Sequence, residues 1–259
     1  MSTFHEVLKQ TQTPIGTYLA EFATPGIGEI LAAVGCEFVF VDMEHSGFGF
    51  DTCAQVLRNL HGAGLATILR VPSKAAHHLQ RGADIGAQGI IAPMVNTAQE
   101  ARDCIAAMKF APAGQRGVAL TIAHDGFRKQ AVSDALRDAN LKTGFVPLIE
   151  TAEALENCEE IMAVPGIDAI WIGHLDLSVS LGIPGEFENP IFVAAIERII
   201  RVAKDAGVPV GRLVGSVDDA AKCHQEGCGL ICYLGDVWLL QKALSEGIAG
   251  IRSKLGVAN

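Results

Sequence analysis

Short apolar runs alternate with amphipathic segments along almost the whole chain. Eight runs are rich in β-branched and aromatic residues, and the segments between them carry apolar positions spaced three or four apart. The runs predict strands at residues 14–22, 36–43, 66–71, 89–95, 144–149, 167–173, 208–214 and 229–234. The amphipathic segments predict helices at 28–34, 51–63, 75–85, 97–108, 153–162, 190–206, 217–226 and 236–255. A longer connection, 109–142, interrupts the rhythm and contains a further helical piece near 127–137.

This alternation predicts a parallel sheet with helices outside it. Eight units in one chain of 259 residues favour an α/β fold of the (β/α)₈ or TIM-barrel type, with residues 1–259 as one domain. A doubly wound open sheet is the alternative. It is disfavoured because no G-x-G-x-x-G phosphate loop follows the first strand.

Composition narrows the class of protein. Apolar residues make up 49% of the chain, and the formal net charge is −9, which argues against a nucleic-acid partner. No apolar run approaches the ~20 residues of a membrane span. The seven cysteines contain no C-x-x-C pair, and no secretory signal opens the sequence, so we expect a cytoplasmic protein with reduced thiols. The spacing of Cys223, Cys228 and Cys232 is poor for a zinc site.

Polar residues with catalytic chemistry follow several of the predicted strands. In a barrel, the carboxyl ends of all strands meet at one face, where active sites lie. Burying such groups without partners is costly, so their collection at one end indicates a site. The residues concerned are Asp42 at the end of the second strand and His45 just after it, Arg70 at the end of the third, Glu150 after the fifth and Asp176 after the sixth.

The candidate metal and anion sites can also be explained by ordinary helix capping. Glu150 and Asp176 suit a hard cation such as Mg²⁺ or Mn²⁺, but they equally suit a helix N-terminal charge and an N-cap. Residues 173–180 resemble the start of a helix, whose free N–H groups either hold an anion or are simply capped.

His45 and Arg70 leave similar choices open. His45 is either a general base, oriented by Asp42 or Asp84, or a solvated surface residue. Arg70 is costly to bury alone, so it pairs with an acid (Asp42, Glu44 or Asp84), stabilises a substrate oxyanion, or does both.

Seven short motifs occur in a fixed order along the chain. They are residues 41–45 (VDMEH), 70–72 (RVP), 84–88 (DIGAQ), 93–97 (PMVNT), 114–117 (GQRG), 148–151 (LIET) and 172–182 (IGHLDLSVSLG). On these motifs the chain resembles the HpcH/HpaI aldolase family of metal-dependent, class II pyruvate aldolases.

The resemblance implies a reaction and a role for each matched residue. The reaction is reversible cleavage of a 4-hydroxy-2-oxo acid into pyruvate and an aldehyde through a metal-bound pyruvate enolate, with Mg²⁺, Mn²⁺ or Co²⁺ as cofactor. Glu150 and Asp176 would be the metal ligands. The remaining roles are His45 as base in a dyad with Asp84 and near Asp42, Arg70 facing the ketone oxygen, and backbone amides of Gly173, His174, Leu175 and Asp176 holding the pyruvate carboxylate.

The resemblance also implies a homo-oligomer, a hexamer built as a trimer of dimers, with the C-terminal helix exchanged between subunits. One position departs from the family, which usually has proline where this chain has His174. No lysine closes a predicted strand, so a Schiff-base route lacks its nucleophile. Two alternatives remain: related enolate chemistry, either decarboxylation or thioester cleavage of the citrate lyase β type, and a binding barrel without catalysis.

Overall fold

Eight parallel strands close into a barrel in the computed structural model, which describes residues 3–10 and 12–256. Each strand pairs with the next, and β1 pairs with β8, which excludes the open-sheet alternative and confirms the (β/α)₈ prediction. The strands are β1 Ile15–Leu19, β2 Phe38–Asp42, β3 Ala66–Arg70, β4 Gly89–Ala92, β5 Gly144–Ile149, β6 Ile170–Ile172, β7 Val210–Val214 and β8 Leu230–Gly235.

Helices follow the strands and surround the barrel. They are α1 Phe4–Leu8, α2 Ile27–Ala33, α3 Phe50–Gly62, α4 Ala76–Asp84, α5 Ala98–Met108, α6 Val132–Lys142, α7 Ala152–Glu156, α8 Cys158–Met162, α9 His174–Ser180, α10 Pro190–Ala206, α11 Val217–Glu226 and α12 Asp236–Leu255. None of these described helices combines the length and apolarity that a membrane crossing requires.

Two helix predictions differ from the structure. The helix predicted at 127–137 begins only at Val132, because Gly126 and Phe127 both have positive φ and form a turn. The helix predicted at 153–162 is divided into α7 and α8 at Asn157, whose side-chain amide donates to the carbonyl of Asn96.

Side chains alternate between the inside of the barrel and the layer under the helices. On β2, for example, Phe38 and Phe40 belong to one apolar cluster, whereas Val39 and Val41 belong to the other. This period of two is the one that strand geometry imposes. The interior cluster is filled by large side chains, including Phe38, Phe40, Ile68, Ile91, Val146, Leu148 and Trp171.

Helix α1 closes the amino-terminal end of the barrel. Phe4 is fully buried, and its ring lies over Gly89 and Gly144, the first residues of β4 and β5. A Cβ atom would come within 2.9 Å of the Phe4 ring at Gly89 and within 2.8 Å at Gly144, so both positions require glycine. The closed end leaves the opposite face of the barrel for a site.

Replacing Phe4 with alanine should therefore destabilise the barrel by about 3–5 kcal/mol, the usual cost of removing a buried phenylalanine ring. Urea unfolding followed by circular dichroism measures the change, with Phe127→Ala as the control because Phe127 is 57% exposed. Equal midpoints for the two variants would show that α1 does not close the barrel.

Candidate active site

An ion pair joins the last residues of two neighbouring strands. Asp42 ends β2 and Arg70 ends β3, and the two residues are direct partners in the sheet register. Arg70 Nε donates to Asp42 Oδ1 at 2.6 Å, and the Tyr18 hydroxyl donates to Asp42 Oδ2 at 2.6 Å. Asp42 is fully buried, so its charge rests on these partners.

The surroundings keep Asp42 ionised. Burial opposes its charge, but Arg70, Tyr18 and the backbone N–H of His45 together hold the pKa of the carboxyl group below its ordinary value. Burial and the Asp42 charge raise the pKa of Tyr18. Tyr18 therefore remains a neutral hydrogen-bond donor.

Glu44 places a second carboxylate beside the same arginine. Its Oε2 lies 3.1 Å from Arg70 Nη1, but this buried oxygen accepts no well-aligned hydrogen bond from the described residues. Burial raises the pKa of Glu44, although Arg70 partly opposes the shift. The Arg70 guanidinium also lies over the Phe40 ring, 5.5 Å from its centroid, so acid partners and an aromatic face together fix its position.

Glu150 is a buried carboxylate with little support for its charge. The backbone N–H of Met94 donates to its Oε1 at 2.7 Å, and Met94 adopts a φ of 55°. Burial raises the pKa of Glu150 to about 7, and the nearby charges of Glu44 and Asp176 act in the same direction. A Cβ atom on Gly173 would lie 2.7 Å from Glu150 Oε2, so the glycine leaves room for this side chain.

The helix start predicted for residues 173–180 is present as α9, and its first turn forms another wall of the cavity. Gly173 precedes the helix, and its N–H already donates to the carbonyl of Ile149 at 3.1 Å. The amides of His174, Leu175 and Asp176 have no acceptor within the helix, as at any helix start. Asp176 itself is exposed at the mouth of the site.

His45 follows β2 and reaches the same mouth. Its side chain is 62% exposed, and Nε2 lies 3.8 Å from Glu44 Oε2. The backbone N–H of His45 donates to Asp42 at 3.0 Å, which fixes the turn that carries the ring.

The structure does not bring Asp84 to His45 within the chain. Asp84 is the last residue of α4, which runs back from the carboxyl end of β3 to the start of β4, at the other end of the barrel. There Asp84 accepts from Arg116 Nη2 at 2.6 Å, and Arg116 also contacts His124. The predicted His45–Asp84 pair is therefore absent from the described part of this single chain.

The strand ends and α9 surround one cavity of about 430 Å³. His45, Arg70, Glu150, His174 and Asp176 supply its charged groups and imidazoles. Its remaining walls are largely apolar or aromatic, formed in part by Tyr18, Phe40, Leu148, Trp171, Leu213, Leu234 and Trp238. Trp238, from the first turn of α12, stacks on Tyr18 with 5.4 Å between the ring centroids.

The donor set fits a divalent cation that shares its coordination with substrate and water. Within residues 3–10 and 12–256, no three His, Cys, Asp or Glu side chains are placed to hold a metal by themselves. Two carboxylates, Glu150 and Asp176, are what Mg²⁺ or Mn²⁺ commonly takes from a protein when other oxygens complete the shell. The raised pKa of Glu150 also marks a place where positive charge is lacking.

Three contributors to the site did not emerge as site residues from the sequence pattern. Tyr18 lies within β1, and only its inward position beside a strand end distinguishes it. Glu44 was expected only as one possible partner of Arg70. Trp238 falls within the helix predicted at 236–255, and only its place three residues after β8 indicates that it borders the cavity.

Comparison with known proteins identifies the family of this chain. The family profile described as "HpcH/HpaI aldolase/citrate lyase" matches residues 15–235. The chain belongs to this family. It is accordingly an aldolase, a carbon–carbon lyase.

Relatives match the chain over nearly its full length. A 2-dehydro-3,6-dideoxy-6-sulfogluconate aldolase from Pseudomonas putida is 30% identical and covers 96% of both chains. A 2-keto-3-deoxy-L-rhamnonate aldolase from Salmonella gallinarum is 31% identical over 98% of this chain and 95% of its own. The crystal structure of an HpcH/HpaI aldolase from Desulfitobacterium hafniense DCB-2 superposes with a TM-score of 0.90, at 30% identity and 97% coverage of each chain.

Glu150 should make the stability of the metal-free protein fall as pH rises. Its folded pKa of about 7 exceeds the ordinary value of 4.5, so between these values the folded state holds a proton that the unfolded chain has lost. Glu150→Gln removes this effect, and its stability relative to the parent protein should improve by roughly 3 kcal/mol between pH 4.5 and pH 8.

Chemical unfolding in EDTA at a series of pH values measures this difference. Glu160→Gln, at an exposed position on α8, is the matched control. A Glu150→Gln profile parallel to that of the parent protein would contradict the raised pKa.

Proposed function

We propose that this aldolase cleaves 4-hydroxy-2-oxo acids reversibly into pyruvate and an aldehyde. The observation that carries the proposal is that Arg70, held by Asp42, and the buried carboxylate Glu150 line the same cavity. A fixed positive charge is what a developing enolate oxygen needs.

The 2-oxo acid end of the substrate would lie between α9 and Arg70. The first-turn amides of His174, Leu175 and Asp176 suit a carboxylate, because helix N-termini attract anions. Gly173 contributes space beside Glu150, since its own N–H is bound to Ile149. The keto oxygen would then face the Arg70 guanidinium.

Glu150 and Asp176 would hold the divalent cation, Mg²⁺, Mn²⁺ or Co²⁺. When bound, it would supply Lewis-acid polarisation of the substrate oxygens. Ionisation of Glu150 and cation binding favour each other, because the cation supplies the charge that the buried carboxylate lacks.

Cleavage needs a base at the mouth of the cavity. The base takes the proton of the C4 hydroxyl, the C3–C4 bond breaks, and its electron pair leaves the oxygen of the pyruvate enolate negative beside Arg70. The aldehyde departs, and a proton returned to C3 gives pyruvate. We assign the base to His45, because its exposed imidazole borders the cavity and histidine is the side chain that most often transfers protons in enzymes.

Helix α12 supports the proposal of a homo-oligomer. None of its described residues is buried, and its apolar side chains recur at a spacing of three or four as Leu240, Leu244, Ile248, Ile251 and Leu255. A stripe of this size on a monomer is typical of an interface. We propose that α12 packs on a partner subunit, in a hexamer arranged as a trimer of dimers. The seven free thiols suit the reducing cytoplasm.

A second candidate is another enolate reaction, decarboxylation or cleavage of a coenzyme A thioester. The family description, which includes citrate lyase, favours keeping this candidate. Release of acetyl-CoA or CO₂ instead of free pyruvate would identify it.

Pyruvate release from a 4-hydroxy-2-oxo acid should stop after treatment with EDTA and return on addition of Mg²⁺, Mn²⁺ or Co²⁺. A lactate dehydrogenase-coupled assay measures it, and a panel of aldehydes in the synthetic direction reports the acceptor. Undiminished activity in EDTA, or a borohydride-trapped pyruvate adduct, would refute the metal-dependent route.

Replacing Arg70 with lysine should lower kcat about 10²–10³-fold, because the charge remains but the fixed donor beside the keto oxygen is displaced. Lysine retains a cation near Asp42, so the fold is preserved. Tyr18→Phe, which removes only one hydrogen bond to Asp42, is the control and should cost far less. Steady-state kinetics measure kcat for each variant. Equal losses of kcat in Arg70→Lys and Tyr18→Phe would show that Arg70 has no direct role in the chemical step.

A further inference from the structure

A second cavity of about 530 Å³ lies behind the proposed active site, between α10 and α11. Its apolar side is formed by Phe187, Phe192, Val193 and Ile196. His174 borders both cavities, and its ring packs edge-on against Phe187 with 5.3 Å between centroids. The proposed mechanism uses none of the polar side chains that line only this second cavity.

Arg212 is the unusual residue of this cavity. It lies on β7 between Gly211 and Leu213, and its side chain points outward, because Gly211 faces the interior ring of Trp171. The residue is only 8% exposed, yet its buried Nε has no hydrogen-bond partner among the described residues.

The charge partner of Arg212 does not satisfy it. Glu226 Oε2 lies 3.7 Å from Nη1, beyond hydrogen-bond length, and that oxygen is also buried and unpartnered within the described residues. Burying a guanidinium without hydrogen bonds costs free energy. A ligand with an acceptor group, bound in the cavity, would supply the missing hydrogen bonds.

We propose that this cavity is a second binding site, for a small monocarboxylate with an apolar body. The carboxylate would accept from Arg212, and the apolar body would lie against Phe187, Phe192 and Val193.

The other charges of the lining limit the ligand further. Four acids line the cavity, Glu188, Asp218, Asp219 and Glu226, against two cations, Arg212 and Lys222. This negative balance opposes a dianion such as phosphate more strongly than a ligand with a single negative charge. The acids also suit an ammonium group, so the carboxylate can belong to a simple acid or to an apolar amino acid.

Calorimetric titration with 4-methylpentanoate, and separately with L-leucine, tests the site in the full chain. We expect one molecule bound per chain, with affinity reduced about tenfold or more in Arg212→Met, which keeps the length but removes the charged donors. Lys222→Met, at an exposed position of the same cavity, is the matched control and should bind nearly as the parent does.

The variant Val193→Trp distinguishes binding in this cavity from binding in the active site and from an effect on folding. Val193 lines only the second cavity, so filling it should abolish binding while thermal unfolding and pyruvate release remain as in the parent. Tighter binding of leucine than of 4-methylpentanoate would assign the site to amino acids, and the reverse order to simple acids. Absence of binding by both, equal binding by Arg212→Met, or full binding by Val193→Trp would overturn the proposal, whether or not the enzyme proves to be a pyruvate aldolase.

Discussion

The buried ion pair between Asp42 and Arg70 is the interaction on which the proposed active site depends. It joins the ends of β2 and β3, receives a further hydrogen bond from Tyr18 on β1, and places one nitrogen of Arg70 against Glu44. Removing one member of such a pair typically costs about 3–5 kcal/mol, because the other charge is left buried and alone. The arginine is thus fixed before any substrate arrives, as electrostatic stabilisation of a transition state requires.

Two buried carboxylates at the same end of the barrel have opposite properties. Asp42 receives hydrogen bonds from Arg70, Tyr18 and the backbone, and the pKa of its carboxyl group is depressed. Glu150 receives one backbone hydrogen bond, faces other acids, and has a pKa raised to about 7. The first is suited to holding a cationic side chain permanently. Glu150 forms no salt bridge within the described residues, which is why we assign a metal ion as its cationic partner.

Local sequence patterns predicted the barrel well, because each strand and helix carries its own periodicity. The carboxyl ends of parallel strands share one face, so the positions of Asp42, Arg70, Glu150 and Asp176 followed from topology alone. Asp84 shows the limit of this reasoning. It belongs to one of the motifs that carry the family resemblance, yet it ends a helix, and the helix returns it to the opposite face of the barrel within the chain.

The sequence pattern also could not foresee side-chain contacts that form only in the folded chain. Tyr18 looks like an ordinary strand residue until the closed barrel brings its hydroxyl to Asp42. Arg212 ends no apolar run, and only the packing of α10 and α11 shows that its Nε has no hydrogen-bond partner in the described part of the chain. The predicted start of α6 was wrong for a local reason, because hydrophobic periodicity carries no information about the positive φ of Phe127.

The central claim is that Glu150 is a buried acid that holds its proton below about pH 7 and becomes ionised when a divalent cation binds beside it. Calorimetric titration of the metal-free protein with Mn²⁺, in buffers of different ionisation enthalpy, measures the protons released on binding. With a pKa of about 7, Glu150 should release close to one proton at pH 6 and almost none at pH 8.5. Glu150→Gln should lose both the proton release and most of the affinity. Mn²⁺ binding without proton release at pH 6, or equal binding by Glu150→Gln, would contradict this account of the site.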